Sequence, residues 1–182
     1  VIHGYRSLNS IQHSLAKGLN SSGDCNIDVN CPLGVGWDNE IRSVAMIVVN
    51  GNGICTGALI NNTCSDGTPY FLTADHCLVG STGSWAFRFN WESPPGTESC
   101  ATTAGSTDPG PPYDQTANGA TILTNSSASD YALLEINNMT LSDAQSWNCF
   151  FAGWDASDLT TVTEATGIHH PYGDVKKICR EN

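Results

Sequence analysis

The sequence predicts an all-β fold of many short strands, arranged as a sandwich or a barrel. Charged residues make up 14% of the 182-residue chain, against about 25% in an ordinary soluble domain. Glycine (18 residues), serine, threonine and asparagine fill the difference, and they favour turns over long helices. Because 40% of the residues are hydrophobic, the chain can bury a sizeable core.

The N-terminal residues 1–23 differ from the rest of the chain. Ile11, Leu15 and Leu19 recur every four residues, which predicts a short helix before the break at residues 20–24. No signal-peptide-like apolar stretch is present in residues 1–20, so we expect a processed, mature form.

The first predicted strands form a hairpin. Residues 41–49 are rich in β-branched side chains, which favour strands. Asn50-Gly-Asn-Gly53 follows, and Asn-Gly is a strong hairpin signal. Residues 54–60 are the predicted partner strand, and residues 70–74 are a third strand.

An aromatic segment predicts the next strand. Trp85-Ala-Phe-Arg-Phe-Asn-Trp91 alternates strictly and places four aromatic side chains on one face. A half-buried core strand is the favoured interpretation, and an aromatic binding platform is the alternative. Residues 92–113, rich in Pro, Gly and Thr, are predicted to be loop. Further strands are predicted at residues 120–123, 131–136, 149–153 and 175–182.

The charge balance excludes several classes of partner. Seven basic residues stand against 18 acidic ones, for a net charge of −11. Such a chain is a poor ligand for nucleic acid or for an anionic membrane. No apolar run approaches the roughly 18 residues of a membrane-spanning helix. We therefore predict neither a nucleic-acid nor a membrane partner.

Eight scattered cysteines indicate an oxidising compartment. Zinc sites favour paired Cys-x2-Cys knuckles, and the nearest approach is Cys25-x5-Cys31. Disulfides and a secreted, extracellular protein are therefore predicted. We predict no cofactor and no metal, and we interpret the pair His169-His170 as structural.

Two segments contain the candidate chemistry. Phe71-Leu-Thr-Ala-Asp-His-Cys77 takes a strand into a histidine flanked by cysteine, and Cys55 on the preceding strand is a possible disulfide partner for Cys77. Downstream, Asp130 stands at the start of the apolar strand Tyr131–Ile136.

These segments, with Cys55–Ile60, resemble the trypsin-like (chymotrypsin-fold) serine endopeptidases. The resemblance is closer to one branch, the secreted bacterial lysyl endopeptidases, through three further segments. They are Cys25–Pro32, Phe151–Asp155 and Ile168–Pro171.

The resemblance implies a double β-barrel. Residues 1–24 would be an N-terminal extension, residues 25–140 the first barrel with the His/Asp pair, and residues 141–182 the start of the second barrel. His76 would be the general base and Asp130 its orienting carboxylate, acting on a peptide or protein substrate after lysine.

The resemblance also implies the disulfides Cys55–Cys77 and Cys31–Cys100. For Cys64 and Cys149 we predict a mutual pair. Asp75, at a position that is often small in this fold, is predicted to be a surface carboxylate.

One family element is absent from the sequence. The nucleophilic serine of the family lies in a Gly-x-Ser-Gly segment, and these 182 residues contain none. We expect that serine on a second polypeptide, held by Cys25 and by Cys179. The alternative is a Cys25–Cys179 bond within the chain and a catalytically inactive β domain used for binding or scaffolding.

Overall fold

The computed structural model describes residues 22–23, 26–98, 100, 115–156 and 163–181. The predicted helix at Ile11–Leu19 and the placement of Cys25 lie outside this part of the chain. Within it, neither helix is long and apolar enough to cross a membrane.

Short strands dominate the fold, as predicted. The strands are β1 (Ile27–Asp28), β2 (Val44–Val49), β3 (Asn52–Ile60), β4 (Tyr70–Thr73), β5 (Ala86–Phe89), β6 (Thr116–Asn118), β7 (Ala120–Ser126), β8 (Tyr131–Ile136), β9 (Ala165–His169) and β10 (Lys177–Glu181). The helices are α1 (Asp38–Ser43) and α2 (Leu141–Ser146).

The strands form two antiparallel sheets. The larger has the order β6-β5-β2-β3-β4-β8-β7 and curls as part of a barrel, and the smaller has the order β1-β10-β9. The all-β barrel prediction is therefore confirmed. The domain boundary at residue 140 stays a prediction.

The β2–β3 hairpin has the predicted turn. Val49 pairs with Asn52, which leaves Asn50 and Gly51 as the two turn residues, with φ of 51° and 78°. Two consecutive positive φ angles are those of a type I′ turn, whose twist matches the twist of the strands. The asparagine and the glycine tolerate this conformation.

The first predicted strand begins too early. Residues 41–43 belong to α1, and β2 starts at Val44. Asp38 and Glu40 lie in the first helical turn, where acidic side chains interact favourably with the free N–H groups. Ile41 is a buried residue of α1. Its β-branched side chain therefore indicated a core position and not a strand.

The aromatic segment is a core strand and not a binding platform. Trp85, Phe87 and Phe89 are fully buried in the main core. Trp91 is buried too, but in a second cluster with Met46 and other residues of the opposite face. Asn90 has a φ of 49°, which breaks the alternation, so the prediction of one shared face is wrong for Trp91.

The strand predicted at residues 149–153 is also wrong. The backbone N–H of Cys149 donates to Ala144 O in the last turn of α2 (2.8 Å), and that of Phe150 donates to Arg42 O (3.3 Å). Only an isolated bridge between Ile60 and Ala152 remains. These N–H groups are therefore unavailable to a strand ladder.

A buried ion cluster holds the smaller sheet to the loop after β5. Asp28 and Lys177 are direct neighbours in the β1–β10 register, and the Lys177 ammonium donates to Asp28 Oδ1. Ser93 Oγ donates to the other Asp28 oxygen at 2.9 Å. Asp174 Oδ2 lies 3.8 Å from the same ammonium and accepts from Ser22 Oγ at 2.5 Å. The three charged side chains are almost completely buried.

Candidate active site

The sheet register brings His76 and Asp130 together from positions 54 residues apart. Strands β4 and β8 are antiparallel neighbours, and Thr73 pairs with Ala132. The end of β4 therefore lies beside the start of β8. His76 follows in a 3-10 turn at Asp75–Cys77, and Asp130 comes directly before β8, so both lie at the same end of the sheet.

The two side chains share a close hydrogen bond. His76 Nδ1 lies 2.7 Å from Asp130 Oδ2, and the His76 backbone N–H donates to Asp130 Oδ1 at 3.0 Å. Both oxygens of the carboxylate thus point to one residue. The side chains are 37% and 47% exposed, so the pair is accessible to a substrate.

Asp130 has an unusual backbone conformation and a lowered pKa. Its φ is 50°, a left-handed conformation that aspartate adopts more readily than most residues. The N–H of His76, with smaller contributions from the His76 side chain and the Asp75 backbone, lowers the pKa of Asp130. The carboxylate is therefore ionised at neutral pH.

A covalent bond anchors the histidine turn. Cys77, buried at the end of the turn, forms the predicted disulfide with Cys55 of β3. The three residues Cys55, His76 and Cys77 have ligand atoms within 4.8 Å of one another. The two sulfurs are bonded to each other, so they offer no thiolates, and this group does not fit a metal ion.

The segment around His170 packs against β3, next to the residue that is disulfide-bonded to Cys77. Thr73 Oγ1 donates to Thr56 O at 2.9 Å, and the His170 backbone N–H donates to Thr56 Oγ1 at 2.9 Å. Burial, together with the nearby Lys176 ammonium, holds the pKa of His170 well below its ordinary value. The His170 imidazole is neutral and buried. For His170, this fits the prediction that His169-His170 is structural.

The remaining cysteine predictions have mixed outcomes. Cys31–Cys100 is present, as predicted. The Cys64–Cys149 pair is wrong, because both thiols are free. Cys64 is exposed, whereas Cys149 packs against the core and burial raises its pKa to about 11. Cys179 is free too, and Cys25, its partner in the alternative bond, lies outside the described residues.

One contact of the site, between Asp75 and Asn125, was not predicted from the sequence. Asp75 is partly exposed, as expected for a surface carboxylate, but its Oδ1 accepts from Asn125 Nδ2 on β7 at 2.6 Å. No motif marked Asn125, because the contact depends on the β7–β8 register.

Comparison with known proteins identifies the family. The sequence model of the lysyl endopeptidase C-terminal domain matches residues 19–182. The chain belongs to this family. A lysyl endopeptidase of Pseudomonas aeruginosa is 29% identical over 173 residues, which cover 91% of the chain and 36% of that protein.

Family membership places the chain in a protease family and confirms the resemblance drawn from the motifs. The chain spans about a third of the length of its Pseudomonas relative (36%). Family membership therefore does not assign roles to individual residues, and these roles are inferred from the geometry of the site.

Proposed function

We propose that this chain supplies the general base and its orienting carboxylate to a secreted serine endopeptidase. The observation that carries the proposal is the 2.7 Å contact between His76 Nδ1 and Asp130 Oδ2. The His76 N–H bond to the same carboxylate fixes its direction. An exposed histidine held by an ionised carboxylate, at the end of a disulfide-anchored strand, is the arrangement that base catalysis needs.

The contact assigns the tautomer of the histidine. A carboxylate can only accept a hydrogen bond, and Asp130 is ionised because its pKa is lowered. His76 therefore carries its proton on Nδ1. This leaves Nε2 with a free lone pair, and Nε2 is the atom we assign to proton abstraction.

The chemistry follows from that assignment. Nε2 takes the proton of a serine hydroxyl while the serine Oγ bonds to the substrate carbonyl carbon. The π electrons of the C=O bond move onto the carbonyl oxygen, and the C=O bond re-forms when the amine leaves. As the C–N bond breaks, Nε2–H returns the proton to the leaving amine. A water molecule then hydrolyses the acyl-enzyme by the same proton route, and Asp130 stabilises the imidazolium in both steps.

The nucleophilic serine is proposed to lie outside these residues, on a second polypeptide. No Gly-x-Ser-Gly occurs in the 182 residues. The free Cys179 thiol on β10 is available for a bond to such a polypeptide. Two disulfides support the proposed secreted location.

Lysine specificity is proposed from the family and from charge. The Pseudomonas relative is named a lysyl endopeptidase. A net charge of −11 raises the local concentration of cationic peptides near the protein.

The test is peptide hydrolysis by the complete protein that contains this chain. We expect cleavage after lysine, and Asp130→Asn should lower kcat/KM by about 10⁴-fold because the wrong tautomer of His76 forms. Asp66→Asn is the matched control, since Asp66 is an exposed carboxylate with a lowered pKa and hydrogen bonds remote from His76. Absence of hydrolysis in the wild-type protein would instead support a binding or scaffolding domain.

A further inference from the structure

A second polar contact spans the site beside the His76–Asp130 pair. Asn125 Nδ2 donates to Asp75 Oδ1 at 2.6 Å. Asp75 directly precedes His76, and Asn125 lies near the end of β7, the strand that leads into the Asp130 turn. The bond therefore joins the two loops that bear the proposed catalytic pair.

The register shows what this bond crosses. Thr73 of β4 and Asn125 of β7 both pair with Ala132 of β8. Strands β4 and β7 therefore flank β8. The Asp75–Asn125 bond runs from the turn after β4, across the start of β8, to β7. Asp130 lies two residues before Ala132, so the Asp75–Asn125 bond lies close to the turn that contains Asp130.

The exposed pair needs such a constraint. His76 and Asp130 are 37% and 47% exposed, so water competes for their hydrogen bond and packing restrains them little. The positive φ of Asp130 (50°) is uncommon for a residue other than glycine, so contacts that hold the turn favour this conformation. The disulfide restrains the histidine turn from the side of β3, but it does not reach the Asp130 turn.

We propose that Asp75 and Asn125 are positioning residues, which lock the Asp130 turn against the His76 turn through their side-chain hydrogen bond. This inference rests on the proposed function for its catalytic meaning, since the pair that it positions is the proposed general base and its partner. It acts through geometry: Asp75 is needed as a hydrogen-bond acceptor, and its negative charge is secondary.

The experiment is proton NMR of the full 182-residue chain, which observes the His76 Nδ1–H resonance and its rate of exchange with water. Asn125→Ala should raise that rate by about fivefold, the change expected from one lost hydrogen bond. Asp75→Ala should do the same. Asp75→Asn should retain the wild-type rate, because an amide oxygen still accepts from Asn125.

A double variant separates coupling from two unrelated effects. If the bond is the cause, Asp75→Ala combined with Asn125→Ala should exchange no faster than either single variant. Asn138→Ala is the matched control, since Asn138 is exposed and its amide donates to Asn118 O at 3.1 Å, away from the pair. It should leave the exchange rate unchanged.

Each contrary result has a distinct meaning. A wild-type rate in Asn125→Ala, or additive effects in the double variant, would overturn the positioning role and leave the proposed function intact. A fast rate in Asp75→Asn would overturn the claim that the charge is secondary. Absence of a hydrogen-bonded Nδ1–H in the wild-type chain would contradict the His76–Asp130 pair itself, and with it the positioning role.

Discussion

Two carboxylates in the described part of the chain accept hydrogen bonds from a basic side chain but differ in burial. His76 and Asp130 are 37% and 47% exposed, whereas Lys177 and Asp28 are 2% and 0% exposed. Asp130 accepts hydrogen bonds from the backbone and the side chain of His76, and Asp28 accepts from Lys177 and Ser93.

The difference indicates what each contact does. The buried pair joins directly paired residues of β1 and β10 and has no route to a substrate, so its role is to stabilise one arrangement of the smaller sheet. The exposed pair joins two turns at one end of the larger sheet and leaves Nε2 free. An exposed polar contact contributes little to stability, so its geometry is better explained by chemistry than by folding.

The largest expected effect is on the buried pair. Asp28→Asn removes the carboxylate charge next to the buried Lys177 ammonium, and the Asp174 carboxylate lies farther away, at 3.8 Å. We expect the free energy of unfolding to fall by about 3–5 kcal/mol, measured by urea denaturation. Glu164→Gln, in the exposed Arg180–Glu164 pair on the same sheet, is the control and should cost less than about 1 kcal/mol. Equal effects of the two variants would contradict the contrast.

Proteolysis with a lysine-specific endopeptidase sharpens the same contrast. Lys176 and Lys177 are almost completely buried, and the Lys176 ammonium donates to Ile41 O and to Glu92 at 2.8 Å. Cleavage after either lysine therefore requires local or global opening. Asp28→Asn should accelerate it by about 10²–10³-fold if cleavage follows the open population, as measured by mass spectrometry. Rapid cleavage of the wild-type chain after these two lysines would refute their burial.

Removal of the Cys55–Cys77 bond should have an intermediate effect. A 22-residue separation corresponds to about 3 kcal/mol of loop-closure entropy in the unfolded chain. Replacing both cysteines by alanine should lower the thermal midpoint accordingly, measured by calorimetry. Cys64→Ala, at an exposed free thiol, should change stability by less than about 0.5 kcal/mol.

Much of the fold was accessible from local sequence signals. Asn50-Gly51 specified the β2–β3 hairpin because few residues adopt two consecutive positive φ angles. The resemblance to trypsin-like endopeptidases supplied the Cys55–Cys77 and Cys31–Cys100 bonds. The α2 helix also had a local signal, a capping box from Thr140 to Asp143, but this signal was missed.

The remaining features depend on tertiary contacts. Lys177 and Asp28 are 149 residues apart, so no local sequence pattern indicates their contact. Lysine is almost never fully buried unless it is paired, so the burial of Lys177 was not expected either. The Asn125–Asp75 bond likewise needs three strands in register. Ile41 shows the limit of β-propensity, because helix α1 buries this β-branched residue as well as a strand would.

Acid should produce the smallest effect. The folded-state pKa of Asp130 lies below its ordinary value of 3.8, so its contribution to stability is present above about pH 4 and is lost as the pH falls through the folded-state pKa. The difference in thermal midpoint between wild type and Asp130→Asn should therefore shrink below about pH 4. A difference that grows in acid would contradict the lowered pKa.

Labelling of the complete protein with a fluorophosphonate tests the proposed catalytic role of His76 most directly. The reagent forms a bond between phosphorus and an activated serine Oγ, fluoride leaves, and the hydroxyl proton passes to the base. We predict labelling of a serine outside residues 1–182, located by peptide mass spectrometry, and a rate lower by about 10³–10⁴-fold in His76→Ala. The Asp66→Asn control should label at the wild-type rate. Labelling of His76→Ala at that same rate, or no labelling of the wild-type protein, would contradict the assignment of His76 as the general base.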